Sequence, residues 1–142
     1  MLETPMHVEP YLFFNGQAEQ AIAFYREAIG AEVTLLMRYS DSPDPAFCPP
    51  GAEDKVMHAN LQIGDTTVML SDGDCSGNPV FSGISLSIGL DDPARAREMF
   101  DALADGGQVT MPLEKTFWSP AFGSLLDRFG VAWMIDVLEQ KD

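Results

Sequence analysis

The chain has 142 residues, a formal net charge of -14 and an apolar fraction of 46%. Because 22 acidic residues stand against 8 basic ones, the surface would repel phosphate groups, and we expect no nucleic acid and no anionic membrane as partner. No stretch approaches the ~18 uninterrupted apolar residues of a membrane span, and MLETPMHVEP lacks a basic region followed by an apolar run, so we expect a cytoplasmic protein.

Two halves of the chain show the same order of predicted elements. In the first half the strand-like PYLFF precedes apolar residues at helical spacing and then AEVTLLMRY; in the second half GISLSIGL precedes a similar helix and GQVTM. A hairpin follows in each half, turning at Gly64-Asp65 and at Phe129-Gly130. The pattern predicts a single α+β domain, residues 1–142, built from two βαβββ modules at about 6–74 and 80–139.

The predicted helices have recognisable ends. Asn15 and Asp92 are expected to act as N-caps, because their side chains can accept the unpaired N–H groups of a first turn. Pro93 suits the first helical position, where its missing donor would have had no partner. Gly30 and Gly106 are expected to end the two helices in the left-handed conformation.

The longest predicted connection, residues 40–56, is rich in proline and acid and predicts no regular element. Two roles remain open for it, a lid over a site and a surface insertion. Cys48 in this loop and Cys75 in another have no CxxC spacing, and we expect them to be separate free thiols.

Alternation along the strands separates apolar faces from polar ones. The side chains expected to pack beneath the helices are Ile84, Leu86, Ile88, Val131, Trp133 and Ile135. The opposite faces are expected to carry Gly83, Ser85, Ser87, Ala132, Met134 and Asp136. His58, Asn60 and Gln62 alternate with apolar residues and share a further polar face.

The duplicated module, with the stretches PYLFFNGQAEQAIAFY, MHANLQIGDTTVMLSD and FWSPAFGSLLDRFGVAWMI, resembles the vicinal-oxygen-chelate superfamily of glyoxalases, bleomycin-resistance proteins and dioxygenases. It resembles most closely the PhnB-like branch, often labelled a demethylubiquinone methyltransferase. The resemblance implies U-shaped mixed sheets around a cleft, with helices outside, in a homodimer. The chain has no GxGxG turn of the kind that holds a methyl donor, so the residues do not support methyl transfer.

The resemblance also implies four metal ligands, usually His and Glu, on the first, fourth, fifth and eighth strands. The matching positions fall at or near Pro10, Met69, Gly83 and Met134. A thioether is a soft, weak donor, so none of the four suits a hard divalent metal. We therefore expect no metal cofactor at these positions, and a divalent metal held by other residues stays open.

The cleft that the resemblance implies is predicted to bind a small organic molecule. Its expected lining consists of Met69, Ser85, Ser87, Trp118, Phe122 and Met134. His58 is the predicted catalytic residue, because an imidazole titrates near neutral pH. A hydrogen-bonded structural role is the alternative for His58, and a core role is the alternative for Trp118. Asp127 is expected to bind backbone donors in its turn.

Three functions follow from these residues. The first is a binding protein with a degenerate metal site, a homodimer that holds a partly apolar molecule. The second is a lyase or isomerase of the glyoxalase type, acting on a small oxygenated metabolite through His58 or a non-standard metal set, with serine hydroxyls stabilising an oxyanion. In the third, contact with a second copy or a partner is the whole function.

Overall fold

The structure is a computed structural model that describes residues 5–44, 46 and 48–139. The chain forms two compact units, Met1–Asn78 and Pro79–Asp142. The first unit contains β1 (Tyr11–Phe13), α1 (Ala18–Ile29), β2 (Glu32–Arg38), β3 (Val56–Ile63) and β4 (Thr66–Ser71). The second contains β5 (Leu86–Leu90), α2 (Pro93–Ala104), β6 (Gln108–Glu114), β7 (Ala121–Leu126) and β8 (Ala132–Val137). The predicted α+β architecture with a repeated βαβββ order is confirmed.

Each unit has one mixed sheet of four strands. The order is β1-β4-β3-β2 in the first unit and β5-β8-β7-β6 in the second. In both sheets the first strand pairs with the last in parallel, and the other pairs are antiparallel. The turns at Gly64-Asp65 and around Gly130 join the strands of the two predicted hairpins. Gly130 has a φ of 88°, a conformation that favours glycine.

One helix covers one face of each sheet, because its apolar residues recur at helical spacing. In the first unit the buried side chains of α1 include Ile22 and Tyr25, and the strands bury Leu61 and Leu70. In the second unit α2 buries Phe100 and Leu103, and its contacts reach β6, β7 and β8. Val131, Trp133 and Ile135 are buried as predicted. No helix within the described residues is long and apolar enough to span a membrane.

The helix ends agree with the predictions at α2 and differ at α1. Asp92 accepts hydrogen bonds from the N–H groups of Ala94 and Arg95, and Pro93 is the first helical residue. The prediction for Asn15 is wrong: its φ is 51°, and the start of α1 is capped from a distance by Asp72, which follows β4. Asp72 Oδ1 accepts from the N–H groups of Gly16 and Ala18, both at 2.8 Å.

Two further predictions need correction. Gly30 is the left-handed C-cap of α1 as predicted, but α2 already ends at Ala104, and Gly106 takes its left-handed φ of 79° two residues later. Ile84 is 58% exposed, because β5 begins only at Leu86 and Ile84 lies in the preceding loop. Ile84 therefore does not pack beneath α2.

Hydrogen bonds tie down both ends of the long loop between β2 and β3. The backbone N–H groups of Tyr39 and Ser40 donate to the carbonyls of Lys55 and Glu53, at 3.1 and 3.0 Å. The described part of the loop includes a short 3-10 turn at Tyr39–Asp41 that the sequence did not predict. Residues 45 and 47 lie outside the described residues. Cys48 and Cys75 are free thiols, as predicted.

Candidate functional site

The sheet of the first unit leaves one face uncovered by its helix. Residues that pair across a sheet share a face, and Tyr11 pairs with Met69, which pairs with Asn60. In the next row Phe13 pairs with Ser71, and His58 pairs with Met37 of β2. We call this surface, with Tyr11, Phe13, His58, Asn60 and Met69, the first open face.

Three polar side chains on the first open face form a hydrogen-bonded chain. The hydroxyl of Tyr11 lies 2.7 Å from Nδ1 of His58, and Nε2 of His58 lies 2.7 Å from Oδ1 of Asn60. The ring of Tyr11 also stacks on Phe13, with centroids 4.9 Å apart. His58 is thus an oriented imidazole with a partner on each nitrogen.

Tyr11 is a candidate site residue that the sequence patterns did not predict. Its signal was present in PYLFF, where it alternates with buried Leu12, but its partner His58 is 47 positions away and only the β1–β4–β3 register brings the two together. Burial raises the pKa of the Tyr11 hydroxyl, and a hydrogen bond with Ser71 opposes that shift. Tyr11 is therefore protonated at neutral pH.

The second unit has a corresponding uncovered face. Ser87 on β5 pairs with Met134 on β8, which pairs with Ser124 on β7. In the adjacent row Asp136 lies between Gly89 and Phe122. We call the surface formed by Ser87, Phe122, Ser124, Met134 and Asp136 the second open face.

The structure brings several of the predicted ligand-binding residues together on the second open face. Ser87 and Met134 are register neighbours. Trp118 is 52% exposed and meets Phe122 edge to face at 5.4 Å, so it is not a core residue. Ser85 is exposed and precedes β5, outside these rows. That these residues bind a ligand stays a prediction.

The turn before β7 holds Trp118 in place. Its backbone N–H donates to the Thr116 hydroxyl at 3.3 Å. The hydroxyl oxygen of buried Ser119 lies 2.9 Å from the carbonyl of Ala121 and 3.0 Å from that of Val137, so its single hydrogen bonds within the sheet and fixes the end of the turn there. The aromatic pair of Trp118 and Phe122 therefore projects from an anchored backbone.

Asp136 carries an acceptor that nothing satisfies within the described residues. Its Oδ1 is buried and has no hydrogen-bond partner there. Nearly all buried polar atoms in proteins have one. Alternation along the strand predicted Asp136 on this face. That its Oδ1 has no partner within the described residues follows from the packing of Asp136 between two strands, which the sequence does not show.

Neither open face offers the ligands of a hard divalent metal. Among the described residues, no group of three or more His, Cys, Asp or Glu side chains could hold a metal ion. The neighbours of Met69 are a phenol and an amide, and those of Met134 are two hydroxyls. Gly83 lies before β5 and Pro10 before β1. These donors do not fit the metal site that the superfamily implies.

Asp127 has the structural role that the sequence predicted. Its Oδ1 accepts from the N–H groups of Phe129 and Val131, and its Oδ2 accepts from the indole of Trp133 at 2.9 Å. The carboxylate is 3% exposed and serves the turn between β7 and β8. It is therefore not part of an open face.

The chain is similar to known proteins in both sequence and structure. A family model described as 3-demethylubiquinone-9 3-methyltransferase matches residues 6–136. Protein YjdN of Escherichia coli (strain K12) is 35% identical over 144 residues, which covers 96% of this chain and 98% of that protein. Protein PA1353 of Pseudomonas aeruginosa, a solved structure, is 38% identical with a TM-score of 0.84, over 96% of this chain and 100% of that one.

Two more structures extend the likeness. The PhnB protein of Bacillus cereus, whose description names a 3-demethylubiquinone-9 3-methyltransferase, is 29% identical with a TM-score of 0.78, over 94% of this chain and 100% of that one. A glyoxylase/bleomycin resistance protein/dioxygenase domain from Frankia sp. EAN1pec has a TM-score of 0.63 at 15% identity, over 98% and 100% of the two chains, and shares the fold. The chain therefore belongs to the PhnB-like family described as 3-demethylubiquinone-9 3-methyltransferase, and it has the fold of the glyoxylase/bleomycin resistance protein/dioxygenase domain.

Proposed function

We propose that the chain binds a small, partly apolar organic molecule on the open faces of its sheets, without a metal at the positions that the superfamily uses. The observation that carries this proposal is the matched placement of Met69 and Met134. Each lies on the strand that comes last in the chain order of its unit, β4 or β8. Each is on the uncovered face, among polar or aromatic side chains. Thioethers are polarizable and adapt to irregular apolar ligands.

The donor chemistry supports a degenerate metal site. A metal-binding relative of this fold needs carboxylates or imidazoles at positions where this chain has two methionines, a proline and a glycine. Both units have a methionine where such a relative has a metal ligand, which favours a use of these faces other than metal binding. Apolar contacts and hydrogen bonds would then hold the ligand in place of metal coordination.

The same proposal includes a homodimer in the cytoplasm. The outer strands β2 and β6 expose apolar side chains, with Leu35 at 42% and Met111 at 41%, and a second copy would cover them. Free thiols at Cys48 and Cys75 suit a reducing compartment. Light scattering of the wild type and of the variant Leu35→Glu tests the dimer: we expect twice the chain mass for the former and a smaller mass for the latter. A monomeric wild type would contradict it.

Methyl labelling of the eight methionines tests the proposed binding directly. Carbon-13 spectra recorded against a library of small organic compounds should show shifts confined to Met69 and Met134, assigned with the variants Met69→Leu and Met134→Leu. Met6, which is 96% exposed, and Met99, a buried residue of α2, serve as internal controls. A library in which no compound moves Met69 or Met134 would argue against the proposal, as would shifts of both on adding Zn²⁺ or Mn²⁺ alone.

The two hydrogen bonds of His58 favour a second candidate, a lyase or isomerase of small oxygenated metabolites. An oriented imidazole is a suitable general base. Proton NMR in heavy water with hydroxy ketones and 2-oxoaldehydes would detect exchange of carbon-bound hydrogen. We expect catalysed exchange by the wild type and none by His58→Ala, and equal exchange by both would remove this candidate.

A further inference from the structure

We propose that Tyr11, His58 and Asn60 form a site that binds a weakly acidic hydroxyl group of the ligand and takes up its proton. This inference rests on the proposed binding of a small organic molecule, and it names the ligand class and the group that Tyr11 recognises. Three features support it: the direction of the two hydrogen bonds, the exposure of Tyr11 and the side chains beside Tyr11.

The amide of Asn60 fixes the direction of the chain of hydrogen bonds. An amide oxygen only accepts, so Nε2 of His58, 2.7 Å from Oδ1 of Asn60, carries the hydrogen. In a neutral imidazole Nδ1 is then bare and accepts the hydroxyl hydrogen of Tyr11 at 2.7 Å. The single proton of Tyr11 points at His58.

This direction decides what Tyr11 offers to a ligand. Its hydrogen is engaged, and its oxygen has two lone pairs, of which the Ser71 hydroxyl engages at most one. Tyr11 is 38% exposed, so a ligand can reach it. The group that binds there must donate a hydrogen bond, which selects a hydroxyl over a carbonyl.

The same geometry allows a proton to leave the ligand. The ligand's O–H bond breaks as its hydrogen bonds to the Tyr11 oxygen, and the original Tyr11 proton moves to Nδ1 of His58. The products are a ligand oxyanion and an imidazolium whose Nε2–H still donates to Asn60. Tyr11 is neutral before and after, and no further reactant is needed.

The surroundings of Tyr11 favour an unsaturated, apolar body for the ligand. The ring of Phe13 stacks on that of Tyr11 at an angle of 21° and is 51% exposed, and Met69 pairs with Tyr11 in register. Flat rings stack on such a surface, and thioethers contact aromatic edges favourably. A hydroxyl that is weakly acidic and attached to an unsaturated body is a phenol or an enol.

The visible absorbance of 4-nitrophenolate tests this assignment, at a pH where the free probe is largely neutral. Added wild-type protein should raise the phenolate absorbance, and equilibrium dialysis should show binding. Tyr11→Phe and His58→Gln should each lower the ratio of bound phenolate to bound phenol by about tenfold, as expected for the loss of one hydrogen bond to a charged group. Thr67→Val, on the same sheet, removes a hydroxyl that bonds Gln62 instead, and it should leave the ratio unchanged.

Four results would count against the inference. Bound probe without excess phenolate, or an unchanged ratio in both variants, would refute it while leaving the proposed binding intact. Failure of 4-nitrophenol to bind, when other compounds still shift Met69 and Met134, would refute the ligand class alone. Nitrogen-15 spectra of wild-type protein add a test that needs no variant: His58 should carry its hydrogen on Nε2, and a hydrogen on Nδ1 would contradict the site.

Discussion

Asp72 joins three segments of the first unit through one buried carboxylate. Its Oδ1 accepts from Gly16 and Ala18 at the start of α1, and its Oδ2 accepts from the N–H of Val56 at the start of β3, at 2.9 Å. The side chain is 1% exposed, so water cannot replace the missing partner if the carboxylate is removed. The stability of the first unit therefore depends strongly on Asp72.

Replacing Asp72 with alanine should lower the free energy of unfolding by about 3 kcal/mol or more. The estimate follows from the loss of charged hydrogen bonds and of a helix cap. Asp74→Ala is the matched control, because that carboxylate is exposed and accepts from the N–H of nearby Ser76. Urea denaturation measures both variants, and equal midpoints would contradict the role given to Asp72.

Cys75 should react slowly with iodoacetamide near neutral pH. Burial raises the pKa of its thiol above the ordinary 9.0, and the carboxylate of Asp72 adds to the shift. Since the thiolate is the nucleophile, its reaction rate should keep rising with pH beyond the midpoint seen in urea-unfolded chain. Cys48→Ser isolates the reaction at Cys75. A folded-state midpoint at or below the unfolded one would show that the surroundings do not stabilise the thiol form.

At the scale of elements, glycine sets the distance between α2 and its sheet. A Cβ on Gly123 of β7 would lie 2.7 Å from Cε2 of Phe100 and 2.9 Å from the backbone of Leu113. The ring of Phe100 therefore packs directly over the strand. This contact could not be predicted from the sequence, because a glycine in a strand-like stretch equally suits a bulge or a bend.

The variant Gly123→Ala should destabilise the chain by roughly 1–3 kcal/mol, the usual cost of overpacking a core. Gly89→Ala is the control on the same sheet: its Cβ would meet the Leu138 side chain at 3.4 Å, which is ordinary contact. Thermal unfolding of the two variants should separate them by several degrees. A melting temperature for Gly123→Ala equal to that of Gly89→Ala would show that the helix shifts at little cost.

Local patterns predicted the helices and strands well. The predictions failed where a helix cap or a side-chain hydrogen bond joins residues that are far apart in the sequence. Asp92 caps its own helix and was predicted from DDP, whereas the cap of α1 comes from Asp72, 54 positions away from Ala18. His58 was found by its chemistry, but Tyr11 was missed because their hydrogen bond depends on strand register. Alternation placed Met69 and Met134 on the open faces, since each strand has a period of two.

The whole molecule repeats one module, and the repeat explains why its candidate residues come in pairs. Met69 and Met134 occupy the same place in the two sheets, each beside the first strand of its unit. Around them the units differ: the first open face carries the hydrogen-bonded Tyr11 and His58, and the second carries the Trp118 and Phe122 aromatic pair. The first open face thus carries the residues of the proposed proton transfer, and the second carries an aromatic surface.

Native mass spectrometry of protein purified without chelator or affinity tag tests the proposed metal-free binding of a small molecule. One measurement reports the number of subunits, the bound metal and any retained small molecule. We expect a dimer that contains no stoichiometric transition metal and carries a bound organic molecule. The double variant Met69→Ala, Met134→Ala should lose that molecule. One tightly held transition metal per subunit, unaffected by the double variant, would contradict the proposed metal-free binding.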